Sequence, residues 1–467
     1  MRKILLWSLV QIGVLAGVYA QSSDRNYVIT QTYKTPTGSV SGSINVASQE
    51  VAYFDGLGRP VQTVSVYSSP SVSSGKAADL VSHTNYDPYG RVSQVTLPYP
   101  QTGGNGAYQS SALSSANSYY NNAVNFANPI NRGYALTEYE SSPLDRVVKQ
   151  YAGGTDKAVE YEYGVNGSND VKLYTVSGNT LQQPVYYGSG QLSYVEIKDE
   201  NGNRSREYKD KLGLTVLNRV YTDKNNSNSN LDTYYVYDDL SRVRFVLQPA
   251  YQDQANGSHY FYYEYNDRGL MIKKGVPGGG ITELTYNERD LLSESKDGTT
   301  TITYYKYDAL NRLTETGEKQ GGSEVPLSRR YYDSYPSGVK GFSNIGESGY
   351  PTSRRSNVKG LVTATATRIL NPDGSKGSTW YYTAYYYNDR LQLIQTTRQL
   401  FDLGSNAVEY TTLSLRFDGR VEKQMITQQV VTGTNSVEEV YTYDHADRLL
   451  TVQNTIKKES TVKVDTW

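Results

Sequence analysis

Along most of the chain, side chains of alternating character run for five to eight residues and then stop at a cluster of turn residues. Thr303-Tyr304-Tyr305-Lys306-Tyr307 shows the pattern, whose period of two predicts a strand with successive side chains on opposite faces. The stop has a constant form: an aromatic residue, then Asp or Asn, then two to four residues rich in Gly or Asn. An Arg and an apolar residue often follow and open the next strand, as in Arg91-Val92-Ser93-Gln94-Val95. Asp or Asn in this place can accept backbone N–H bonds within the turn, and Gly or Asn supplies positive φ.

The signature recurs nine times. It begins with Phe54-Asp55-Gly56-Leu57-Gly58-Arg59 and Tyr86-Asp87-Pro88-Tyr89-Gly90-Arg91. Next come Tyr237-Asp238-Asp239-Leu240-Ser241-Arg242 and Tyr265-Asn266-Asp267-Arg268-Gly269-Leu270. Tyr286-Asn287-Glu288-Arg289-Asp290-Leu291 and Tyr307-Asp308-Ala309-Leu310-Asn311-Arg312 follow at steps of 21 residues. The last three are Tyr387-Asn388-Asp389-Arg390, a shortened Phe417-Asp418-Gly419-Arg420, and Tyr443-Asp444-His445-Ala446-Asp447-Arg448; degenerate copies sit at Tyr139 and Tyr208. A period near 21 residues accommodates two strands and two connections. Each unit is thus a β-hairpin that needs its neighbours to complete its burial.

Three segments are expected: a leader over 1–20, a β-rich amino-terminal domain over 21–155, and a repeat sheet over 156–467. Within 21–155, a Gly/Ser/Asn/Ala-rich stretch from Gln101 to Asn128 separates two repeat copies, and Ala107 to Tyr120 has the spacing of one short helix. Residues 224–230 read as a polar loop tip and 318–360 as an irregular insertion without the signature. The leader combines Arg2 and Lys3, an apolar stretch from Ile4 to Val18, and Val18-Tyr19-Ala20 before Gln21. That is the pattern of a secretory signal cut after Ala20, which makes the protein exported, whether periplasmic, surface-bound or extracellular.

Composition narrows the class. The chain has no cysteine, so disulfides, thiolate metal sites and thiol nucleophiles are excluded. Its 46 basic and 47 acidic residues nearly cancel and form no basic stripe, which speaks against nucleic-acid binding. Tyrosine is the unusual residue: 46, against 7 Phe and 3 Trp. It suits half-wet strand positions, because it pairs an apolar ring with a hydroxyl that seeks a partner.

The repeated signature, together with Tyr53-Phe54-Asp55-Gly56-Leu57-Gly58-Arg59-Pro60-Val61-Gln62, Leu97-Pro98-Tyr99 and Glu140-Ser141-Ser142-Pro143-Leu144-Asp145-Arg146-Val147, resembles the Rhs/YD-repeat surface proteins of Bacteroidetes-like bacteria. Asp199-Glu200-Asn201-Gly202-Asn203 and Val246-Leu247-Gln248-Pro249 extend the likeness over essentially the whole mature chain. The resemblance implies an all-β fold in which YD-repeat hairpins form an extended or spiralling sheet, a partial shell. It also implies a shell or surface-scaffold role, in relatives enclosing a toxin domain or displaying adhesive surfaces. Related shells carry paired Asp-Pro-x-Gly motifs for self-cleavage; here Asp87-Pro88-Tyr89-Gly90 stands alone and reads as an ordinary repeat turn. On this reading the partner is an effector or a carboxyl-terminal continuation beyond Trp467, with an open last strand that frays or pairs with another molecule.

No cofactor, metal or catalytic residue is expected. His83, His259 and His445 are far apart in sequence, and Gly56-Leu57-Gly58 belongs to a turn with no helix pattern after it. The prominent aspartates fall in the repeat turns, where backbone bonding explains them; a carboxylate-pair glycosidase is the distant alternative. The doublets Tyr234-Tyr235, Tyr262-Tyr263, Tyr304-Tyr305 and Tyr381-Tyr382 read first as sheet packing. Their second reading is glycan binding by a surface adhesin, with no single tyrosine nominated.

Overall fold

The structure is a computed structural model that describes residues 24–33, 46–69, 78–126, 128–223, 226, 229–253, 259–298, 301–400, 407–431, 433–443, 448–458 and 461–466. The leader 1–20 and Asp444 of the last repeat lie outside the described residues.

Period-two patterning is realised almost throughout. Among the described residues, 29 strands join in one antiparallel sheet, and two two-stranded pairs, Lys172–Leu173 with Val185–Tyr186 and Val176–Ser177 with Thr180–Leu181, stand beside it. Strands adjacent in sequence are mostly hydrogen-bonded neighbours, a meander running from Asn26–Tyr33 to Thr461–Thr466. The sheet runs on through residues 155 and 156, because Val147–Tyr151 pairs with Ala158–Val165. Antiparallel pairing sends successive connections to alternate edges. The consequence is an asymmetric ribbon: the copies beginning at Phe54, Tyr86, Tyr237, Tyr265, Tyr286, Tyr307 and Tyr387 all turn at the same edge.

One face of the ribbon holds the core. Tyr53, Tyr208, Val236 and Tyr386 are buried, and each is the last-but-one residue of its strand, so alternation places them on the same side. Three connecting segments cover that side. Residues 99–133 bring Tyr99, Ala112 and Ala116 onto Val51, Tyr53, Val64 and Val81. Residues 166–192 bring Val171 and Leu192 onto Tyr208, Leu217, Tyr234, Phe245 and Leu247. Residues 334–360 lay Tyr335, Val339 and Phe342 over Ala364, Ala384 and Tyr386, where the small alanines leave room for the strap. Between the second and third covers the same face carries charge, with Lys273–Glu264 at 3.5 Å, Lys306–Glu315 at 3.3 Å and Arg329–Glu315 at 2.8 Å. Along this stretch ion pairs take the place of the apolar clusters found under the covers.

The expected helix forms over Ala112–Tyr120, with Ala112 and Ala116 facing the core. It packs against Gly133 so closely that a Cβ there would lie 2.6 Å from the Ala116 carbonyl oxygen. A second helical turn, Pro249–Asp253, was not expected; the imide of Pro249 suits a helix start. The reading of 318–360 as irregular is corrected. Leu313–Gln320 and Ser323–Tyr332 are paired strands, and the second ends on Tyr332-Asp333, a further repeat copy. Its turn is held open by the strap, since the Asp333 N–H reaches the Leu361 carbonyl at 3.2 Å. Chain beyond Arg448 forms a hairpin, Leu449–Lys458 with Thr461–Thr466, in place of the single polar strand expected.

Candidate functional site: a ladder of turns along one edge

Asp238 shows how one turn works. Its N–H bonds the Arg242 carbonyl at 3.0 Å, and the Ser241 N–H returns to the Asp238 carbonyl at 2.9 Å. This is a three-residue hairpin loop whose third residue takes the left-handed conformation. Glycine fills that place at Gly58 and Gly90, with φ of 79° and 86°, whereas Leu391 accepts φ 64°. The Asp238 carboxylate closes the loop from inside: Oδ1 accepts the N–H groups of Leu240 and Arg242, both at 3.0 Å, and Oδ2 accepts Arg242 Nε at 2.9 Å.

The choice between Asp and Asn follows from this division of labour. Asp55, Asp87, Asp238 and Asp308 each face an arginine four residues on, at Arg59, Arg91, Arg242 and Arg312, and bond its Nε. Asn266, Asn287 and Asn388 face Leu270, Leu291 and Gln392 instead and keep the Oδ1 duties, to which Asn388 adds an Nδ2 bond to Gln392 Oε1 at 2.8 Å. The Asp308 carboxyl is held below the usual range by the Arg312 backbone N–H and then, against some desolvation, by its guanidinium. Asp55 behaves in the same way beside Arg59. For Asp238 and Asp87 desolvation pushes upward, but the arginine and the turn N–H groups outweigh it and the net direction is down.

The aromatic residue of each copy serves the neighbouring turn. Tyr86 donates its hydroxyl to the Pro60 carbonyl at 2.9 Å, Tyr265 to Val243 at 3.1 Å, and Tyr286 to Met271 at 2.7 Å. Tyr307 reaches Leu292 at 2.9 Å, Tyr387 reaches Val362 at 2.8 Å, and Tyr443 reaches Val421 at 2.7 Å. The acceptor is each time the carbonyl at or next to the start of an outgoing strand. Arginine of the earlier turn lies on the same ring: Arg59 over Tyr86 at 4.2 Å, Arg242 over Tyr265 at 4.9 Å, Arg312 over Tyr332 at 4.3 Å. A step therefore combines a hydroxyl hydrogen bond of about 1 kcal/mol with a cation–π contact of about 0.5–1 kcal/mol. Every such aromatic also sits at a register shift in its strand pair, a bulge at the place from which its ring reaches the preceding unit.

Two sequence assignments shift. In the copy read as Phe417-Asp418, the turn opens at Arg416, whose N–H bonds the Arg420 carbonyl at 2.8 Å; Leu415 takes the aromatic place and Phe417 lies under Arg390. In the copy at Tyr208, the turn opens at Asp210 after Lys209, and Tyr208 points into the core. Sequence reasoning also missed the pair closing the longer loop after Tyr139. There Arg146 donates Nε and an Nη to the two oxygens of Glu140, each at 2.7 Å, and the Glu140 carboxyl falls to about 2. The extra methylene of glutamate spans the longer loop. Arg448 lies just before the Leu449–Lys458 strand.

The largest cluster of charge away from the turns joins segment 166–192 to the sheet. Arg219 donates to Asp170 at 2.8 Å and to both oxygens of Asp232, at 2.8 and 2.9 Å; Tyr208 donates to Asp170 at 2.8 Å. Glu196 accepts from Arg204 at 2.6 Å and Arg206 at 2.8 Å. Burial raises the pKa of Asp170 and of Glu196, yet the arginines bring both below the ordinary range. His83 is held between Gln62 at 3.3 Å and Asn85 at 2.9 Å, far in sequence from His259. Among the described residues no three His, Cys, Asp or Glu side chains are grouped to hold a metal ion, and no helix is long and apolar enough to cross a membrane.

Residues 28–168 match the family model of a domain of unknown function, DUF6443. No curated protein is significantly similar to the chain. Among solved structures, the chain is similar to the crystal structure of TcdB2-TccC3-Cdc42, at 14% identity and TM-score 0.52 over 92% of this chain and 21% of that one. The Photorhabdus luminescens Tc holotoxin pore with the TccC3 mutation D651A gives the same values. TcdB2-TccC3 follows at TM-score 0.50 and 14% identity, covering 94% and 22%. The likeness is one of fold, a large antiparallel sheet, and the described strands do not close into a barrel. This chain spans about a fifth of the length of the chains it matches.

Proposed function

We propose that the protein is a non-catalytic, exported scaffold of the Rhs/YD-repeat surface type found in Bacteroidetes, a stretch of wall that partners an effector segment. The observation that carries the reading is the ladder of turns, in which Asp, Arg and Tyr side chains serve one another. The carboxylates with a resolved shift all move downward, as in Asp55, Glu140, Asp170, Glu196 and Asp333. A general acid for glycoside cleavage needs the opposite shift. The fold shared with the TccC3-containing assemblies supports the wall role, and the leader supports export.

The test uses protein recovered from its natural source with its associated polypeptides. Protease treatment is expected to leave an associated effector segment intact for as long as the sheet remains folded. Turnover of aryl glycosides or esters that one carboxylate substitution abolishes would overturn the reading. A second reading, a glycan-binding surface, draws on the opposite face, where Tyr235, Tyr263, Tyr305 and Tyr385 stand half-exposed two residues before the ladder aromatic. Saturable binding of the same protein to a glycan array, lost on replacing Tyr263 and Tyr305 by serine, distinguishes it.

A further inference from the structure

One turn departs from the pairing of Asp with Arg and of Asn with Leu. Asp210 faces Leu214 as the last residue of its loop. Its Oδ1 does the ordinary work, accepting the N–H groups of Leu212 and Leu214 at 2.9 Å each, and an asparagine would do as much. Its Oδ2 has no hydrogen-bond or ion-pair partner among the described residues. The same oxygen of Asp55, Asp87, Asp238 and Asp308 holds an arginine, and that of Asp199 holds the Asn203 amide. The next ring is bare as well. Tyr237 makes the usual hydroxyl bond, to the Thr215 carbonyl at 2.8 Å, but no cation of the described residues lies over it, as Arg59, Arg242 and Arg312 do over theirs.

The two groups that an arginine joins elsewhere both line a cavity of about 190 Å³ between segment 166–192 and the sheet, together with Tyr174, Tyr187, Asp239 and Lys172. Asp239 is exposed and, like the hydroxyls of Tyr174 and Tyr187, has no partner among the described residues. Burial keeps both phenols protonated, Tyr174 at about 12, and the Asp210 charge adds to the effect at Tyr187. Lys172 forms no ion pair among the described residues, and two carboxylates against one ammonium leave the cavity negative.

We infer that this cavity binds a guanidinium group from outside the chain, in the place that a ladder arginine takes at the other Asp turns. The ladder itself supplies the template: Arg242 bonds the Asp238 carboxylate while lying on the Tyr265 ring. A planar guanidinium makes both contacts at once, its edge to the carboxylate and its face to the ring, whereas an ammonium is compact and strongly hydrated. The cavity is small beside the roughly 300–1,000 Å³ of sites for drug-sized ligands, so one side chain or a small guanidino compound fits. With a single ion pair at a partly open site, the dissociation constant is on the order of millimolar. The inference rests neither on the scaffold reading nor on the tyrosines of the opposite face.

Ligand-observed NMR with Nα-acetyl-arginine N-methylamide tests it on the full chain. Saturation transfer to the side-chain methylenes is expected, with none to the citrulline analogue, which has the same shape without the charge. Asp210→Asn restores the natural Asn–Leu turn, so the fold should hold while binding weakens about tenfold or more. Leu214→Arg should place a guanidinium in the cavity from within, abolishing binding while amide exchange in the turn slows. Tighter binding of the blocked amide than of free arginine identifies a polypeptide side chain as the natural source, and the reverse order a free guanidino compound. No binding at about 20 mM overturns the inference. So does equal binding of the citrulline analogue, or binding that Asp210→Asn and Leu214→Arg both leave intact.

Discussion

Replacing Asp238 tests whether the turn carboxylate has two separable duties. Asp238→Ala removes the acceptor for the Leu240 and Arg242 N–H groups and the partner of the Arg242 guanidinium, whose Nη2 lies 2.8 Å from Oδ2. The Leu240 N–H is exposed and regains water, while the Arg242 N–H is part-buried and does not fully do so. Hydrogen bonds to a charged group contribute about 1.5–3 kcal/mol together with the lost pairing, so the alanine variant should open this turn more easily by about 3 kcal/mol. Asp238→Asn keeps Oδ1 and loses only a partly exposed ion pair, a cost of about 0.5–1 kcal/mol. Arg242→Leu restores the natural Asn–Leu combination seen at Asn266 and Leu270, so the double variant Asp238→Asn, Arg242→Leu should cost less than the sum of its parts by about 0.5–1 kcal/mol. Amide hydrogen exchange at Leu240 and Arg242 reads the effect directly: about a hundredfold faster for the alanine variant and about fivefold for asparagine. Equal acceleration by alanine and asparagine would refute the division of labour, because Oδ1 would then contribute nothing.

Two further outcomes are expected. Glu140 has a folded pKa of about 2 against an ordinary 4.5, so its contribution is full above pH 4.5 and is lost as pH falls from 4.5 toward 2. The protection factor of the Arg146 amide, taken against its intrinsic exchange rate at each pH, should fall across that window and stay flat above it; a loss of protection that begins near pH 6 would show another group at work. Tyr307→Phe removes the 2.9 Å bond to the Leu292 carbonyl and keeps the ring, so the urea midpoint should fall by an amount equivalent to about 0.5–1.5 kcal/mol. The comparable change at Tyr305, two residues before the ladder tyrosine, should leave the midpoint within about 0.5 kcal/mol.

How much of this was legible in the sequence varies by element. The class and the repeat were, because a strand's period of two and a turn's demand for Asp or Asn are local requirements that each copy must meet by itself. The two misplaced turns, at Phe417 and Tyr208, also have a local cause. A one-residue offset leaves aromatic and acid within two residues of each other in sequence, and only the hydrogen bonds of Arg416 and Asp210 reveal where the loop closes. The Tyr332-Asp333 copy was hidden because its outgoing half arrives only at Leu361-Val362, after the strap.

Tertiary structure alone decided the rest. Which tyrosine hydroxyl meets which carbonyl depends on the order in which hairpins stand beside one another, as when Tyr139, after a long excursion, reaches Val92 at 2.9 Å. That segments 99–133, 166–192 and 334–360 cover the same face follows from strand parity combined with sheet pairing, and neither is written in a single repeat. Local chemistry fixes each turn, and the sheet's cumulative geometry fixes what the turns can do together.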